Sequence, residues 1–334
     1  MSLNRLNTAG LDFGTSNSTI TYFDSNGQRS VAEDDRQSRY IPSMISCVDK
    51  LRIGYEAKRD QIKYSENTIF DAKRLLGKQM SSPGIKELVD TWPFKVVAGE
   101  NGKAEYEITW QGQVKRVTPE EIVSHIIDYM CSLAEKKTNT RIENLVVTVP
   151  AHFDDTQRRC LLVAAEMTGR RVIQCLDEPT AAAISFSLTN DLNNKRVLVY
   201  DFGGGTFDVS IMDITDYVYN VRYTDGDAQL GGSDIDAILF NYIIQWLKDK
   251  YQLDISMNSK VCQRIRTVVE EIKVYFSGDD FFETEISIEP FEVMTEDGES
   301  IEEVPFSMQE SEYNRLIEDV IVRTLDIVAD CVNQ

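Results

Sequence analysis

Histidine is almost missing from this chain: His125 and His152 are the two in 334 residues. Metal centres and nucleophilic triads built on histidine are therefore poorly supplied. Positive charge is short as well. Thirty-five Lys plus Arg stand against fifty-five Asp plus Glu, a formal net charge of −20, which repels nucleic-acid backbones and anionic membranes over most of the molecule. Neither nucleic acid nor membrane is an expected partner, and any phosphate must be bound locally. No apolar run approaches the roughly 18 residues of a membrane helix. The six cysteines, Cys47, Cys131, Cys160, Cys175, Cys262 and Cys331, form no C-x-x-C pair, and no secretory signal opens the chain. They read as reduced core thiols of a cytoplasmic protein, and Met1-Ser2-Leu3 carries no structural weight.

What is present is globular: 42% hydrophobic and 27% charged residues, in a chain long enough for two domains of about 150 residues. Ala9 to Phe13 and Thr19 to Asp24 read as strands around Gly14-Thr15-Ser16-Asn17, and Ser25-Asn26-Gly27 turns the chain into a third. Thr118-Pro119-Glu120-Glu121 is a capping box opening a helix with Ile122, Ile126, Tyr129, Met130 and Leu133 on one face. The strand Leu145 to Val149, a helix from Asp155 closed by Gly169, a strand near Val172 and a helix opened by Pro179 follow. The second half begins the same way, with strands Arg196 to Asp201 and Phe207 to Asp213 around Gly203-Gly204-Gly205-Thr206 and a third near Val218 to Tyr223. Asp12 and Asp201 each end a strand directly before a glycine turn that carries a hydroxyl, which points to an internal duplication.

The expected organisation is a first lobe, 1–190, with inner parts 1–40 and 118–190, and a second, 191–334, with inner parts 191–230 and 306–334. Segments 41–117 and 231–305 break the symmetry and are read as inserted outer subdomains. Tyr313, Leu316, Val320, Ile321, Leu325, Val328 and Val332 mark a helix matching the one at Pro119. By the duplication a β-α-β-α unit of roughly 50 residues should come next, so the second lobe reads as truncated at its C-terminal end.

Consecutive N–H groups in a glycine turn make an anion nest, and Gly203-Gly204-Gly205-Thr206 is such a cradle. Two such turns facing each other across a cleft would wrap phosphates from both sides, with Asp12 and Asp201 holding a hydrated magnesium ion between them. Neither a P-loop nor a G-x-G-x-x-G after a strand is present. Phosphoryl transfer also needs a cation near the γ-phosphate and a group that orients the nucleophile; Lys73 and Glu178 are the candidates. By spacing alone Lys73 is an exposed helix lysine, and Glu178, just before Pro179, an N-terminal cap whose carboxylate suits the helix dipole. On a helix from about Ser259 to Phe276, Glu270, Lys273, Val274 and Ser277 share a face, for a ribose and an adenine edge or for a solvated i,i+3 ion pair. The acidic stretch from Asp279 to Glu303 reads as a half-exposed strand, with Phe282, Thr284, Ile286 and Ile288 on its inner face. His152 reads as packed or hydrogen-bonded.

Gly10-Leu11-Asp12-Phe13-Gly14-Thr15-Ser16-Asn17-Ser18, Phe70-Asp71-Ala72-Lys73-Arg74-Leu75-Leu76-Gly77, Val146-Val147-Thr148-Val149-Pro150-Ala151-His152-Phe153, Asp177-Glu178-Pro179-Thr180-Ala181-Ala182-Ala183 and Asp201-Phe202-Gly203-Gly204-Gly205-Thr206-Phe207-Asp208-Val209-Ser210 occur in this order. Together they resemble the nucleotide-binding domain of the 70-kilodalton heat-shock chaperones, from about Gly10 to Gln334. The resemblance implies an α/β, two-lobed actin-like ATPase fold of duplicated ribonuclease H-like lobes, and a weak ATPase using ATP or ADP, Mg2+ and K+. It implies that Asp12, Asp201 and Asp208 serve the metal, and that Lys73, Glu178, Thr206, Asp12 and Asp201 serve catalysis. Thr15, Ser16, Gly203, Gly204 and Gly205 would grip the phosphates, Gly14, Asn17, Thr206 and Gly232 would also line the nucleotide, and Glu270, Lys273 and Ser277 would hold the adenosine. Pro150 is implied as a switch and Arg158 as part of a communicating surface. J-domain cochaperones, nucleotide-exchange factors and client polypeptides are the implied partners, the clients through a peptide-binding domain outside this sequence. Val274 departs from the family, which carries an arginine there to pack on adenine, a contact of order 1 kcal/mol. The family's second adenosine segment is not in the sequence either. Two other readings stand beside this one: a chaperone-like regulator that binds nucleotide or partners without useful turnover, and a sugar or glycerol kinase on the same fold.

Overall fold

The computed structural model describes residues 5–278, 280–294 and 299–334. Met1-Ser2-Leu3 and, within the acidic stretch, Asp279 and residues 295–298 lie outside the described residues. The chain opens with β1 (Thr8–Asp12), β2 (Asn17–Phe23) and β3 (Arg29–Val31), an antiparallel meander. Its second turn is set by Asp24, whose carboxylate accepts the N–H groups of Asn26 and Gln28, with Gly27 at φ 75°. β4 (Ile41–Pro42) pairs with the start of β2.

The first insertion holds β5 (Ile45–Cys47), β6 (Leu51–Ile53), α1 (Tyr55–Asp60) and β7 (Thr68–Ile69), with the strands in the order β6-β5-β7. A 3-10 turn, Ala72–Leu75, and α2 (Ile85–Val89) come next, then the sheet of β8 (Lys95–Ala98), β9 (Ala104–Trp110) and β10 (Gln113–Val117). Both bonds of the expected capping box form at Thr118 and Glu121, and α3 (Pro119–Thr138) starts there. β11 (Asn144–Val149) runs parallel to β1; α4 (Asp155–Glu166) crosses over to β12 (Arg171–Asp177), parallel to β11. Parallel neighbours require such crossovers, and they complete the order β12-β11-β1-β2-β3 with β1 at the centre.

After α5 (Glu178–Ser187) a second sheet forms from β13 (Lys195–Phe202), β14 (Phe207–Thr215) and β15 (Val218–Asp227). The second insertion follows, with α6 (Gly232–Tyr251), α7 (Ser259–Tyr275), β16 (Phe281–Ser287), β17 (Val293–Met294), β18 (Ser300–Ile301) and β19 (Glu303–Gln309). β16 buries Phe282 and Ile286 and exposes its glutamates, as its alternation implies, and pairs with β19, which runs across position 305. The last element is α8 (Glu310–Asn333).

Two large cores form, one gathering side chains from Ala9 to Ala165 and the other from Phe207 to Cys331. A small third cluster, Ala183, Leu192, Met212 and Ile214, sits where α5 meets the second sheet. Five cysteines are buried and Cys175 is half-buried, all as free thiols. Among the described residues no helix is long and apolar enough to cross a membrane.

Leu145, 0% exposed on β11 beside the central strand, tests the first core. Leu145→Ala is expected to lose about 2–5 kcal/mol, read as a lower urea midpoint at an unchanged m value.

Candidate functional site

β1 ends at Asp12, and the chain reverses through Phe13 to Ser16 into β2. Gly14 is required in that reversal, because a Cβ there would lie 2.1 Å from the carbonyl oxygen of Asn17. Ser43 fixes the turn from outside: its hydroxyl donates to Gly14 O at 2.8 Å and its N–H to Ser16 O at 2.9 Å. The second turn is built on β13 and β14, whose register sets Asp201 opposite Asp208 and Phe202 opposite Phe207. Gly203 N–H donates to Thr206 O at 2.9 Å and closes it.

The two turns meet. A Cβ on Gly204 would stand 2.3 Å from the Ser16 hydroxyl, and one on Gly205 2.8 Å from the Thr15 methyl, so only glycine allows this approach. The start of α6 holds the second turn in place: Gly232 and Ser233 N–H donate to Gly203 O and Gly204 O at 2.9 and 2.7 Å. A cavity of about 1540 Å³ opens beside both turns, with Asp12, Thr15, Lys73, Glu178, Asp201 and Thr206 among its lining residues.

Lys73 is not the exposed lysine that its spacing suggests. It is 2% exposed, and its ammonium donates to Glu178 Oε1 at 2.7 Å and lies 5.7 Å from the Phe153 ring centre. The reason is the 3-10 turn: Asp71 precedes it at φ 55°, and Phe70 is wedged among Trp92 and Phe94, so the next residues turn inward. Glu178 is not the N-cap that its place before Pro179 suggests: the cap position belongs to Asp177, Glu178 is the first residue of α5, and its carboxylate points to Lys73. Burial pushes the Glu178 carboxyl up to about 7 against the pull of Lys73, with Asp12 and Asp201 adding repulsion. Burial also raises Asp201, again against Lys73 and with Asp12, and raises Asp208 to about 6 against the hydrogen bond it accepts from His152 N–H. Asp12 accepts from the Thr148 hydroxyl at 2.9 Å.

These carboxylates concentrate negative charge where a cation belongs. Magnesium takes one or two carboxylates and fills its shell with water and phosphate oxygens. Among the described residues no group of three or more His, Cys, Asp or Glu is arranged as an all-protein metal cage. Asp12, Asp201 and Asp208 are carboxylate donors of the kind from which a hydrated magnesium takes one or two.

The expected adenosine residues lie apart from this cavity. Glu270 and Lys273 do not form the i,i+3 pair: Glu270 meets Lys58 of α1 at 2.7 Å, and Lys273 meets Asp236 of α6 at 2.7 Å and Gly232 O at 3.4 Å. Each finds a partner of opposite charge on a different element, which a pattern confined to one helix does not reveal. Val274 is 67% exposed, and Ser277 falls just past the helix end, its hydroxyl 3.4 Å from Lys273 O. Lys58–Glu270 joins the two insertions, as does Arg266, which donates to Thr91 O at 2.6 Å. His152 differs from its expectation too, since its side chain is exposed and its main-chain N–H does the bonding. The missed residues are Ser43, Thr148 and Lys58, none of which carries a local signal.

Among known proteins, a family model described as Hsp70 protein matches residues 8–334. The heat shock 70 kDa protein of Emericella nidulans is 36% identical over 304 residues, covering 86% of this chain and 47% of that protein. Chaperone protein DnaK of Akkermansia muciniphila is 33% identical over 325 residues, 97% of this chain and 49% of its own. A ribosome-associated molecular chaperone of Eremothecium gossypii is 35% identical over 300 residues, 85% and 48% of the two chains. The chain spans about half the length of the curated relatives it matches.

The raised carboxyls make a pH prediction. A carboxyl whose folded value lies above its unfolded one binds protons that unfolding releases, so stability falls as pH climbs between the two values. For Asp208 that window runs from 3.8 to about 6. Without nucleotide or divalent ions, Asp208→Asn should be more stable than the parent by about 1–3 kcal/mol at neutral pH, with no gain near pH 4. Urea titrations at the two pH values check it; an equal effect at both would show that ionisation of Asp208 is not the cause.

Proposed function

The chain belongs to the Hsp70 family, and from that membership we propose that it is the ATP-binding, slowly ATP-hydrolysing nucleotide-binding domain of an Hsp70-type molecular chaperone. The family brings the actin-like ATPase fold, and the two sheets with their outer insertions accord with it. The observation that carries the reading is the buried Lys73–Glu178 pair set beside two glycine turns, each preceded by an aspartate.

In this reading the amides of Gly203, Gly204 and Gly205, with Thr15 and Ser16, grip the phosphates, and Gly14 and Asn17 shape the facing turn. Asp12, Asp201 and Asp208 hold magnesium, which neutralises phosphate charge when bound; K+ beside the phosphates completes the charge balance. Lys73 contacts the γ-phosphate. Glu178 and Thr206 orient the attacking water, Glu178 having a carboxyl poised near 7 and so able to exchange a proton at neutral pH. Adenosine lies along α7 with Glu270, Lys273 and Ser277, near Gly232.

Coupling to the rest of a chaperone would leave the site through Asp208. Its carboxylate accepts from His152 N–H, in the loop whose Pro150 O and Ala151 O accept from Arg158, which also pairs with Asp177 at 2.6 Å. Nucleotide state at Asp208 is thereby felt at Arg158, where a J-domain cochaperone would read it. Exchange factors and client polypeptides complete the set of partners, and the compartment is cytoplasmic. A second reading, nucleotide binding without turnover, draws on Val274 and on the ion pairs that already engage Glu270 and Lys273.

Isothermal titration with magnesium-ADP and magnesium-ATP, together with single-turnover hydrolysis, tests both. The parent should bind both nucleotides and hydrolyse ATP slowly. Lys73→Ala should keep ADP binding and lose about 10²–10³ in the hydrolysis rate. Binding with no hydrolysis in the parent supports the second reading, and binding of neither nucleotide overturns both.

A further inference from the structure

Arg74 follows Lys73 in the same turn, and its charge is shared by two carboxylates, Asp71 and Asp234, neither of which satisfies the whole guanidinium. Its side chain is 5% exposed, and Nη2 lies 3.5 Å from Asp234 Oδ1, the outer limit of a hydrogen bond. Its Nε is buried with no acceptor. A buried guanidinium N–H without an acceptor is costly and uncommon. The stem of Arg74 runs along the third glycine of the second turn: a Cβ on Gly205 would touch Arg74 Cδ at 3.1 Å and Thr15 Oγ1 at 3.1 Å. The stem of a guanidinium with an unsatisfied Nε thus lies against the turn whose amides form the anion cradle, while the ammonium of Lys73 is already committed to Glu178.

We propose that Arg74 is a phosphate-binding residue of this site, and that it exchanges Asp234 for an oxyanion seated at the glycine turn. The inference rests on the nucleotide-binding reading and adds to it a second cation with a different chemistry. A guanidinium presents several N–H groups in a rigid plane that matches a phosphate edge, and it stays charged at every relevant pH. A lysine supplies a point charge without that geometry. The oxyanion is either free orthophosphate after hydrolysis or the terminal phosphate of the bound nucleotide.

The exchange has a structural consequence. Asp234 is in the first turn of α6, the helix whose start holds the glycine turn, and beside it the Ser233 hydroxyl donates to Asp71 at 3.1 Å. While Arg74 faces Asp234, the first insertion is tied to α6 at two points. When it faces phosphate, one tie is released and the Asp71–Ser233 bond alone remains. Loss of phosphate restores the tie.

The test is isothermal titration of the whole chain with orthophosphate, with and without saturating magnesium-ADP, alongside titrations with magnesium-ADP and magnesium-ATP. The variants are Arg74→Met, Arg74→Lys and Asp234→Asn, each checked for folding by its thermal melt. Arg74→Met should lose about tenfold or more in orthophosphate affinity, or in the preference for ATP over ADP, with ADP affinity held within about twofold. The first result assigns the residue to free phosphate and the second to the terminal phosphate. Arg74→Lys should fall between Met and the parent. Asp234→Asn removes the competing partner and should tighten phosphate binding by a few-fold, whereas a merely structural tie would weaken it. Unchanged phosphate affinity and ATP preference in Arg74→Met overturn the proposal, as does weakening by Asp234→Asn. Failure of the parent to bind ADP while it binds orthophosphate through Arg74 removes the nucleotide reading and leaves the residue's role standing; failure to bind either overturns both.

Discussion

The buried pair between Lys73 and Glu178 is the constraint on which the arrangement of the site depends. An ion pair out of water stabilises little, because desolvating the two charges offsets most of their attraction, yet removing one partner costs several kcal/mol. Such a pair therefore forces the surrounding elements to stay where they are. Lys73 reaches it from the first insertion, through a 3-10 turn entered at a left-handed Asp71 and backed by Phe70, Trp92 and Phe94. Glu178 reaches it from the first turn of α5, at the end of β12. The pair fixes the first insertion against the sheet of the first half, and places both side chains beside the turn that follows Asp12.

A second constraint closes the other side. The glycine turn after β13 is held by the start of α6 through two main-chain hydrogen bonds, and α6 is tied back to the first insertion through Asp71–Ser233 and Arg74–Asp234. Residues 71 to 74 thus reach in two directions within one turn. Lys73 faces Glu178, while Asp71 and Arg74 face the helix whose start holds the second glycine turn. Higher up, Lys58–Glu270 and Arg266–Thr91 join the insertions across the cleft. Lys58–Glu270 is partly exposed and worth little as a bond.

Elements with a local cause were legible in the sequence. The capping box at Thr118, the turn at Asp24 to Gly27, the proline that opens α5 and the alternation along β16 each depend on neighbours a few residues away, and each forms as the pattern implies. The aspartate-glycine-hydroxyl repeat went further, because two copies of one local motif carry information about a distant pairing; the turns at Gly14 and Gly204 do meet. What the spacing could not supply were partners far away in the chain. Lys73 and Glu178 are 105 residues apart and Lys58 and Glu270 are 212 apart. Periodicity therefore read Lys73 as exposed and paired Glu270 with Lys273. Only the family resemblance singled out Lys73 and Glu178, and nothing in the sequence reading singled out Lys58 or Arg74.

The charge of the site follows from the same geometry and, in the nucleotide-binding reading, divides the recognition of phosphate between backbone and metal. Asp12, Glu178, Asp201 and Asp208 converge on one lysine, and burial with mutual repulsion raises the last three of these carboxyls. A bare phosphate approaching through the field of a chain with net charge −20 would meet still more negative charge at the end of the path. Favourable entry needs donors that carry no net charge and a cation that travels with the ligand. Glycine amides are the first: they approach closely because no Cβ stands between the turns, and they add no charge to repel magnesium. The carboxylates suit the second, because they favour phosphate only when a divalent ion bridges the two. A site built from fixed positive side chains would bind free phosphate and nucleotide without the metal. One built from acids and glycines favours the two together, and in such a surrounding the proposed contact of Arg74 with phosphate supplies the guanidinium that the acids otherwise outweigh.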